Sequence, residues 1–336
     1  MTVSVGFIGA GGIASIHLET FDAVVDGYDI ELAAVADVDE ERARTAADSR
    51  DGTAYTDGEE LIESEPLDAL VVAVPPFAHG SYERMAAARD IDLFIEKPVG
   101  LSLDRARETA QHVEEAGILA QVGYVCRYGR ITERALELLN GRRVGHIDST
   151  YWVSPPETPW WCERTRSGGQ IVEQSTHVYD LHRYLAGEVT AATGSGTDRV
   201  LVDSVDFQDA TSVTLEHESG AVSHVSSTCA SPVSRFEVRI TAENASLELD
   251  YFEHSLSGSV DGEPVQFEGA GDWYQREFEA FLRAISSEST DVRSEYDDAV
   301  RTLELTLTAR AAAEAGNRTE SSSNMSSDIS DREINL

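Results

Sequence analysis

Over the first third of the chain, short apolar runs alternate with stretches of helical period. Residues 3–8 read as a buried strand, followed by a helix to about 23 and a second strand over 30–36. A helix starting near Asp39 comes next. Helix 59–64, strand 69–74, helix 81–89, strand 92–95, helix 104–116 and strand 118–122 continue the pattern. Alternation of this kind predicts a parallel sheet with helices on both faces and a binding crevice at the carboxyl ends of the strands. Past Val122 the alternation stops. Helix 131–139 and strand 147–153 lead into an aromatic, proline-rich loop at 155–161. Residues 200–252 then alternate apolar and polar positions between turn signals at Glu218-Ser219-Gly220 and Glu243-Asn244, which predicts an antiparallel sheet. Helices follow over 278–285 and 296–315. The expected organisation is an α/β domain over 1–122 and an α+β domain over 123–315. A Ser-, Asn- and Asp-rich tail over 316–336 has the composition of a disordered segment.

Charge changes this picture in one respect. Asp and Glu number 61 against 26 Lys and Arg, for a net charge of −35, and the acids are spread along the whole chain. Phosphates would be repelled, so nucleic acid and anionic membranes are disfavoured as partners. The 26 cations comprise 25 arginines and a single lysine, Lys97. An acidic surface with lysine almost eliminated predicts a cytoplasmic protein of a salt-accumulating halophile. The chain enters a strand at once, which leaves no room for a signal peptide, and apolar runs such as 67–74 are too short to span a bilayer. Three cysteines far apart, with no C-x-x-C, indicate neither a disulfide framework nor a zinc site.

Lys97 is where the chemistry is expected. Arginine stays protonated in a protein, whereas a desolvated ammonium can shift its pKa and take part in acid/base chemistry. The apolar strand before it and Pro98 after it suit a buried site. Upstream, Gly9-Ala10-Gly11-Gly12-Ile13-Ala14 is a G-x-G-x-x-A turn between a strand and a helix. Gly9 allows the turn, Gly11 lets a pyrophosphate approach the backbone, and Ala14 lets helix and strand pack. Asp37, at the end of the second strand, can accept from the adenosine ribose 2′-hydroxyl, cap the next helix, or do both. With no cation before Arg42 to meet a 2′-phosphate, NAD is expected over NADP, which stays possible. Pro75, His79, Glu96 and Lys97 complete the cofactor set, with His79 equally readable as the start of a helix. Glu173, His177 and Asp180 have the spacing of one helix face. An acid one turn from an imidazole can orient it and raise its pKa, as a general base requires. A metal reading of these three lacks further ligands. Tyr124, Arg127, Trp152, Trp160 and Trp161 are candidate substrate contacts, with Asp180, since sugars present apolar faces and hydroxyls together.

The glycine turn, Tyr55-x-Asp57, the strand and loop from Asp68 to His79, Glu96-Lys97-Pro98 and the segment from Gly168 to Asp180 together resemble the glucose–fructose oxidoreductase / inositol dehydrogenase (Gfo/Idh/MocA) family, over roughly 3–315. The resemblance implies an N-terminal Rossmann dinucleotide-binding domain and a C-terminal open-faced antiparallel sheet domain with helices. It also implies NAD(P)-dependent oxidation of a sugar, cyclitol or related polyol, and a homo-oligomer, dimer or tetramer, joined through the sheet. One departure is Glu173, where the family usually has Asp. On this reading His177 removes the hydroxyl proton, Lys97 stabilises the oxygen and Glu173 orients His177. Two rival readings stay open: a dinucleotide-binding regulator without turnover, and an NAD-dependent redox-assisted elimination or glycoside cleavage.

Overall fold

The computed structural model describes residues 2–286 and 291–316, so nearly all of the disordered tail expected over 316–336 lies outside the described residues. In the first half, β1 (Val3–Ile8), α1 (Gly12–Val24), β2 (Ile30–Ala36), α2 (Glu40–Asp48), β3 (Thr53–Tyr55) and α3 (Gly58–Ser64) come in order. They are followed by β4 (Ala69–Val72), α4 (Ser81–Ala87), β5 (Asp92–Ile95), α5 (Leu103–Ala116) and β6 (Ala120–Val122). The six strands form a parallel sheet of order β3-β2-β1-β4-β5-β6. The order reverses between β1 and β4, and a crevice at such a point is where α/β sheets take ligands. Val5, Phe7, Leu70, Val71, Leu93 and Phe94 are wholly buried, because helices cover both faces.

The second half runs α6 (Arg130–Leu139), β7 (Val144–Trp152), α7 (Arg164–Ser167), α8 (Gln170–Glu173) and α9 (Thr176–Ala186). Then come β8 (Val189–Thr197), β9 (Ala210–His217), β10 (Val222–Thr228), β11 (Arg235–Ala242), β12 (Ala245–Asp250), β13 (Ser255–Val260) and β14 (Glu263–Glu268). Helices α10 (Trp273–Ile285) and α11 (Tyr296–Ala315) close the described chain. The eight strands form one sheet of order β14-β13-β12-β11-β7-β10-β9-β8. It is antiparallel, as expected, except where β10 pairs parallel with β7. The sheet is also wider than the pattern over 200–252. Strand β8 is mostly Ala, Gly, Ser and Thr, and β13 sets only Leu256 and Val260 among Ser and Gly, so the apolar signal of both is weak. One face, with Ile147, Val213, Val225, Val238 and Leu247, packs under α6, α9 and α11. The other leaves Ser212, Arg239 and Glu248 exposed.

The last two helices tie the halves together. Phe278 and Phe281 of α10 pack with Phe7, Phe21 and Phe94 of the first sheet and its helix. Helix α11 gives Ala299, Val300 and Leu303 to the core around Ile95 and Val122, and Leu305 and Ala309 to the core of the second sheet. A cut at residue 122 follows the order of the chain, whereas the packing crosses it.

Candidate active site

The glycine turn sits at the carboxyl end of β1. Gly9 has φ +103°, and a Cβ there would collide with the Ala73 carbonyl oxygen at the end of β4, so only glycine fits. At Gly12 a Cβ would meet open space, and at Gly11 only the Arg42 guanidinium, 4.0 Å away, so this backbone is accessible rather than packed. Helix α1 follows Gly11 with no side-chain cap and no acid in its first turn, whereas α2, α3 and α5 are capped by Asp39, Asp57 and Ser102. Its first N–H groups are therefore left for an anion. Ala14 is wholly buried against the sheet, and Ile13 is part-buried beside it. Asp37 Oδ2 accepts from Ala10 N at 2.8 Å and Oδ1 from Asp39 N at 2.9 Å, so this carboxylate braces the turn. It does not cap α2. Asp39 does, accepting from Glu41 N and Arg42 N.

Strand β5 delivers Glu96 and Lys97 to the same crevice. Glu96 was expected to touch cofactor, but its carboxylate is buried and accepts from the Lys97 backbone N at 3.1 Å, with His17 Nε2 of α1 at 2.6 Å. It fastens the Lys97 turn to α1. His79 is likewise turned inward, with Nδ1 at 2.6 Å from Glu83 and Nε2 at 3.1 Å from the Val74 carbonyl. Both ring nitrogens are occupied, so His79 pins the loop after β4 instead of reaching a ligand. Pro75, in that loop, stays part-exposed.

Lys97 Nζ donates to the Glu173 carbonyl at 3.0 Å and to Glu173 Oε1 at 3.2 Å, with 14 % and 15 % of the two side chains exposed. One ammonium hydrogen is left over. Burial alone would lower the Lys97 pKa, but the Glu173 and Glu96 carboxylates outweigh it and the net shift is upward. Lys97 is held charged.

The expected helix face does not exist as one surface. Gly168 and Gly169, at φ +79° and +82°, turn the chain from α7 into α8. The helix then breaks at Gln174 and Ser175, where Ser175 N bonds back to the Gln170 carbonyl and α9 restarts. Glu173 and His177 therefore lie on different helices. Glu173 is spent on Lys97 and on Trp161 Nε1, which donates to Oε2 at 2.6 Å. It does not orient His177. His177 packs edge-on to Tyr124, its Nδ1 is buried without a partner, and the residue stays part-exposed. Burial and the Lys97 charge push its pKa well below the ordinary imidazole value, the reverse of the rise expected from an acidic neighbour. The charge of Lys97 is thus felt at an imidazole that stays neutral.

Residues 3–124 match the model of an oxidoreductase family with an NAD-binding Rossmann fold (GFO_IDH_MocA), and residues 142–248 match the GFO/IDH/MocA C-terminal domain. The chain belongs to the Gfo/Idh/MocA family. Among relatives of this family, D-xylose 1-dehydrogenase (NADP(+)) 2 of Haloferax volcanii is 28 % identical over 83 % of this chain and 89 % of its own. The scyllo-inositol 2-dehydrogenase (NAD(+)) of Bacillus subtilis is 24 % identical over 92 % of each chain. Two solved structures share the fold. UDP-N-acetylglucosamine 3-dehydrogenase from Acidithiobacillus ferrooxidans superposes with TM-score 0.81 at 20 % identity, over 94 % of this chain and 99 % of that one. Levoglucosan dehydrogenase in complex with NADH and levoglucosan gives 0.84 at 18 %, over 94 % and 98 %.

Within this Gfo/Idh/MocA site, four of the six residues expected to touch substrate are used elsewhere. Tyr124 and Trp161 are wholly buried, and the Tyr124 hydroxyl is 3.2 Å from Thr176 Oγ1. Arg127 and Asp180 form a buried fork at 2.8 and 2.6 Å, extended by Thr302, Asp298 and Arg183. Two residues of the site's support were missed. Trp161 was assigned to substrate because nothing in a sequence aims an indole N–H. His17 had a readable signal, an imidazole on the buried stripe of α1 with Ala14, Leu18 and Phe21.

Proposed function

We propose that this protein is an NAD(P)-dependent dehydrogenase moving hydride between a secondary hydroxyl of a sugar, cyclitol or related polyol and the nicotinamide. The observation that carries the reading is the Lys97 ammonium, held at the crevice by Glu173 with one hydrogen to spare and near enough to the part-exposed His177 for its charge to help keep that imidazole neutral. The open glycine turn and the uncapped start of α1 fit a dinucleotide pyrophosphate, and Asp37 fits the adenosine ribose. When bound, the nicotinamide supplies the hydride acceptor. His177, neutral, takes the hydroxyl proton as the C–H bond is given up. Lys97 donates its remaining N–H to the substrate oxygen, which carries negative charge as the carbonyl forms. Glu173 keeps Lys97 protonated, so the lysine acts as a donor rather than a base. Relatives named as xylose and inositol dehydrogenases support the substrate class. The acidic, lysine-poor composition supports a halophilic, cytoplasmic setting, and the helix-free outer face of the eight-stranded sheet suits a homo-oligomer.

The test is a screen of NAD+ and NADP+ reduction over sugars and polyols in molar KCl, which screens the self-repulsion of so acidic a chain. Reduced nicotinamide should accumulate with at least one polyol. Dinucleotide binding without reduction by any of them would make the protein a regulator, and product formed without accumulating reduced cofactor would mean a recycled cofactor.

A further inference from the structure

We infer that Trp161 is a positioning residue for the reaction centre, its buried indole N–H clamping Glu173 so that the carboxylate holds the Lys97 ammonium in place. The inference rests on the Lys97–His177 reading above. Glu173 divides its two oxygens: Oε2 takes the indole N–H at 2.6 Å and Oε1 takes Lys97 Nζ at 3.2 Å. A glutamate alone has enough rotamer freedom to swing away from a lysine, and a bond to a fixed donor removes that freedom. The donor here is fixed. Trp161 has no exposed surface and sits in a small cluster with Val205, Phe207 and Cys229, its ring edge-on to Phe207 at 5.1 Å. The same Phe207 ring lies against Gly169, where a Cβ would stand 3.2 Å from it, so the cluster grips the turn that starts α8. The clamp also gives a reason for glutamate at position 173. Aspartate is shorter by one C–C bond, about 1.5 Å, and could not span from the indole to the ammonium with both held by their own backbones.

The experiment measures kcat and KM against pH, on a substrate found by the screen, for wild type, Trp161→Phe, Glu173→Asp and the double variant. Lys97→Arg and His177→Ala run alongside, and dinucleotide binding serves as the control. Trp161→Phe keeps the ring and loses the N–H. It should lower kcat roughly ten- to hundredfold, the effect of one hydrogen bond to a charged group. KM should change little. The alkaline limb should move to lower pH, because an unsteadied Glu173 supports the Lys97 charge less well. Glu173→Asp should do the same, and the double variant should be no worse than the poorer single one. A wild-type alkaline limb in Trp161→Phe, or losses that multiply in the double variant, would overturn the clamp. Should Trp161→Phe fail to fold, Glu173→Asp leaves the core intact and decides alone by whether its alkaline limb moves. Retained activity in Lys97→Arg and His177→Ala would sink the site reading itself. Their loss beside an unchanged Trp161→Phe would sink only the clamp.

Discussion

Two carboxylate–cation pairs stand close together in the chain and behave as opposites. Asp180 and Arg127 are 0 % and 4 % exposed, matched fork to fork, with Thr302, Asp298 and Arg183 filling further positions. Glu173 and Lys97 meet through a single carboxylate bond of 3.2 Å and keep part of their surface open. Arginine suits the first pair, because its planar guanidinium matches two oxygens at once and never loses its charge. Lysine suits the second, because a compact ammonium with a spare hydrogen can meet a reacting oxygen. The chain has 25 arginines and one lysine, and it places the lysine at the only one of these two pairs that could do chemistry.

The largest effect expected from breaking this contrast is on stability. Asp180→Asn removes one charge from the buried fork and leaves Arg127 undercompensated, which should cost about 3–5 kcal/mol. Urea unfolding at fixed KCl measures it. A loss under ~1 kcal/mol together with a raised KM would mean that Asp180 reaches substrate after all, and that the two pairs are alike.

The open pair should answer differently, with stability little changed and turnover severely reduced. Lys97→Arg keeps the charge but puts a fork where an ammonium fits, and His177→Ala removes the proton acceptor. Each should lower kcat/KM by roughly a hundredfold or more while the dinucleotide still binds. In the wild type His177 must be neutral to accept a proton, and its depressed pKa keeps it so. The acidic limb of kcat/KM should therefore fall below pH 6.5, the ordinary imidazole value. Lys97 must be charged, and its raised pKa carries the alkaline limb above the ordinary lysine value of 10.5. An acidic limb above pH 6.5 would restore an acid acting on His177.

How far a sequence can show such a contrast depends on the range of the forces involved. Strands β1 and β2 fall on the residues read from pattern, because their apolar runs are local and strong, and helix α11 does so although it buries residues against both cores. The glycine turn was legible for the same reason, since a backbone that must pass close to Ala73 demands glycine whatever surrounds it. Lys97 drew the eye by its solitude, and the structure holds it against Glu173 at the crevice. The break between α8 and α9 did not show, because Gln174 and Ser175 are neither glycine nor proline and the kink is made by bonds back to Gln170. Without that break, Glu173 and His177 looked like partners. Nor did the sequence show which acids would be spent on neighbours distant in the chain. Glu96 meets His17 across 79 residues and Glu173 meets Lys97 across 76, distances at which spacing carries no information.

The smallest effect expected is on cofactor choice, where a further contrast lies between Asp37 and Arg42. Asp37 already accepts two backbone N–H groups, yet each carboxylate oxygen has a lone pair left for a ribose hydroxyl. Its charge would repel a 2′-phosphate. Arg42, on α2, comes nearer than its place in the sequence suggested. Its Nη1 lies 4.0 Å from where a Cβ on Gly11 would stand, and its Nε is 3.5 Å from Asp39 Oδ2. A cation therefore sits at the rim of the glycine turn, tethered by an exposed ion pair too weak to hold it against a phosphate. Asp37→Ser should remove the repulsion and expose this cation, moving the NADP to NAD ratio of kcat/KM upward by roughly tenfold, about 1.4 kcal/mol. Adding Arg42→Ala should take most of that gain back. A wild type that already prefers NADP would show Arg42 prevailing over Asp37 in the native site. A ratio left unmoved by Asp37→Ser would mean that the carboxylate serves the turn alone and does not read the ribose.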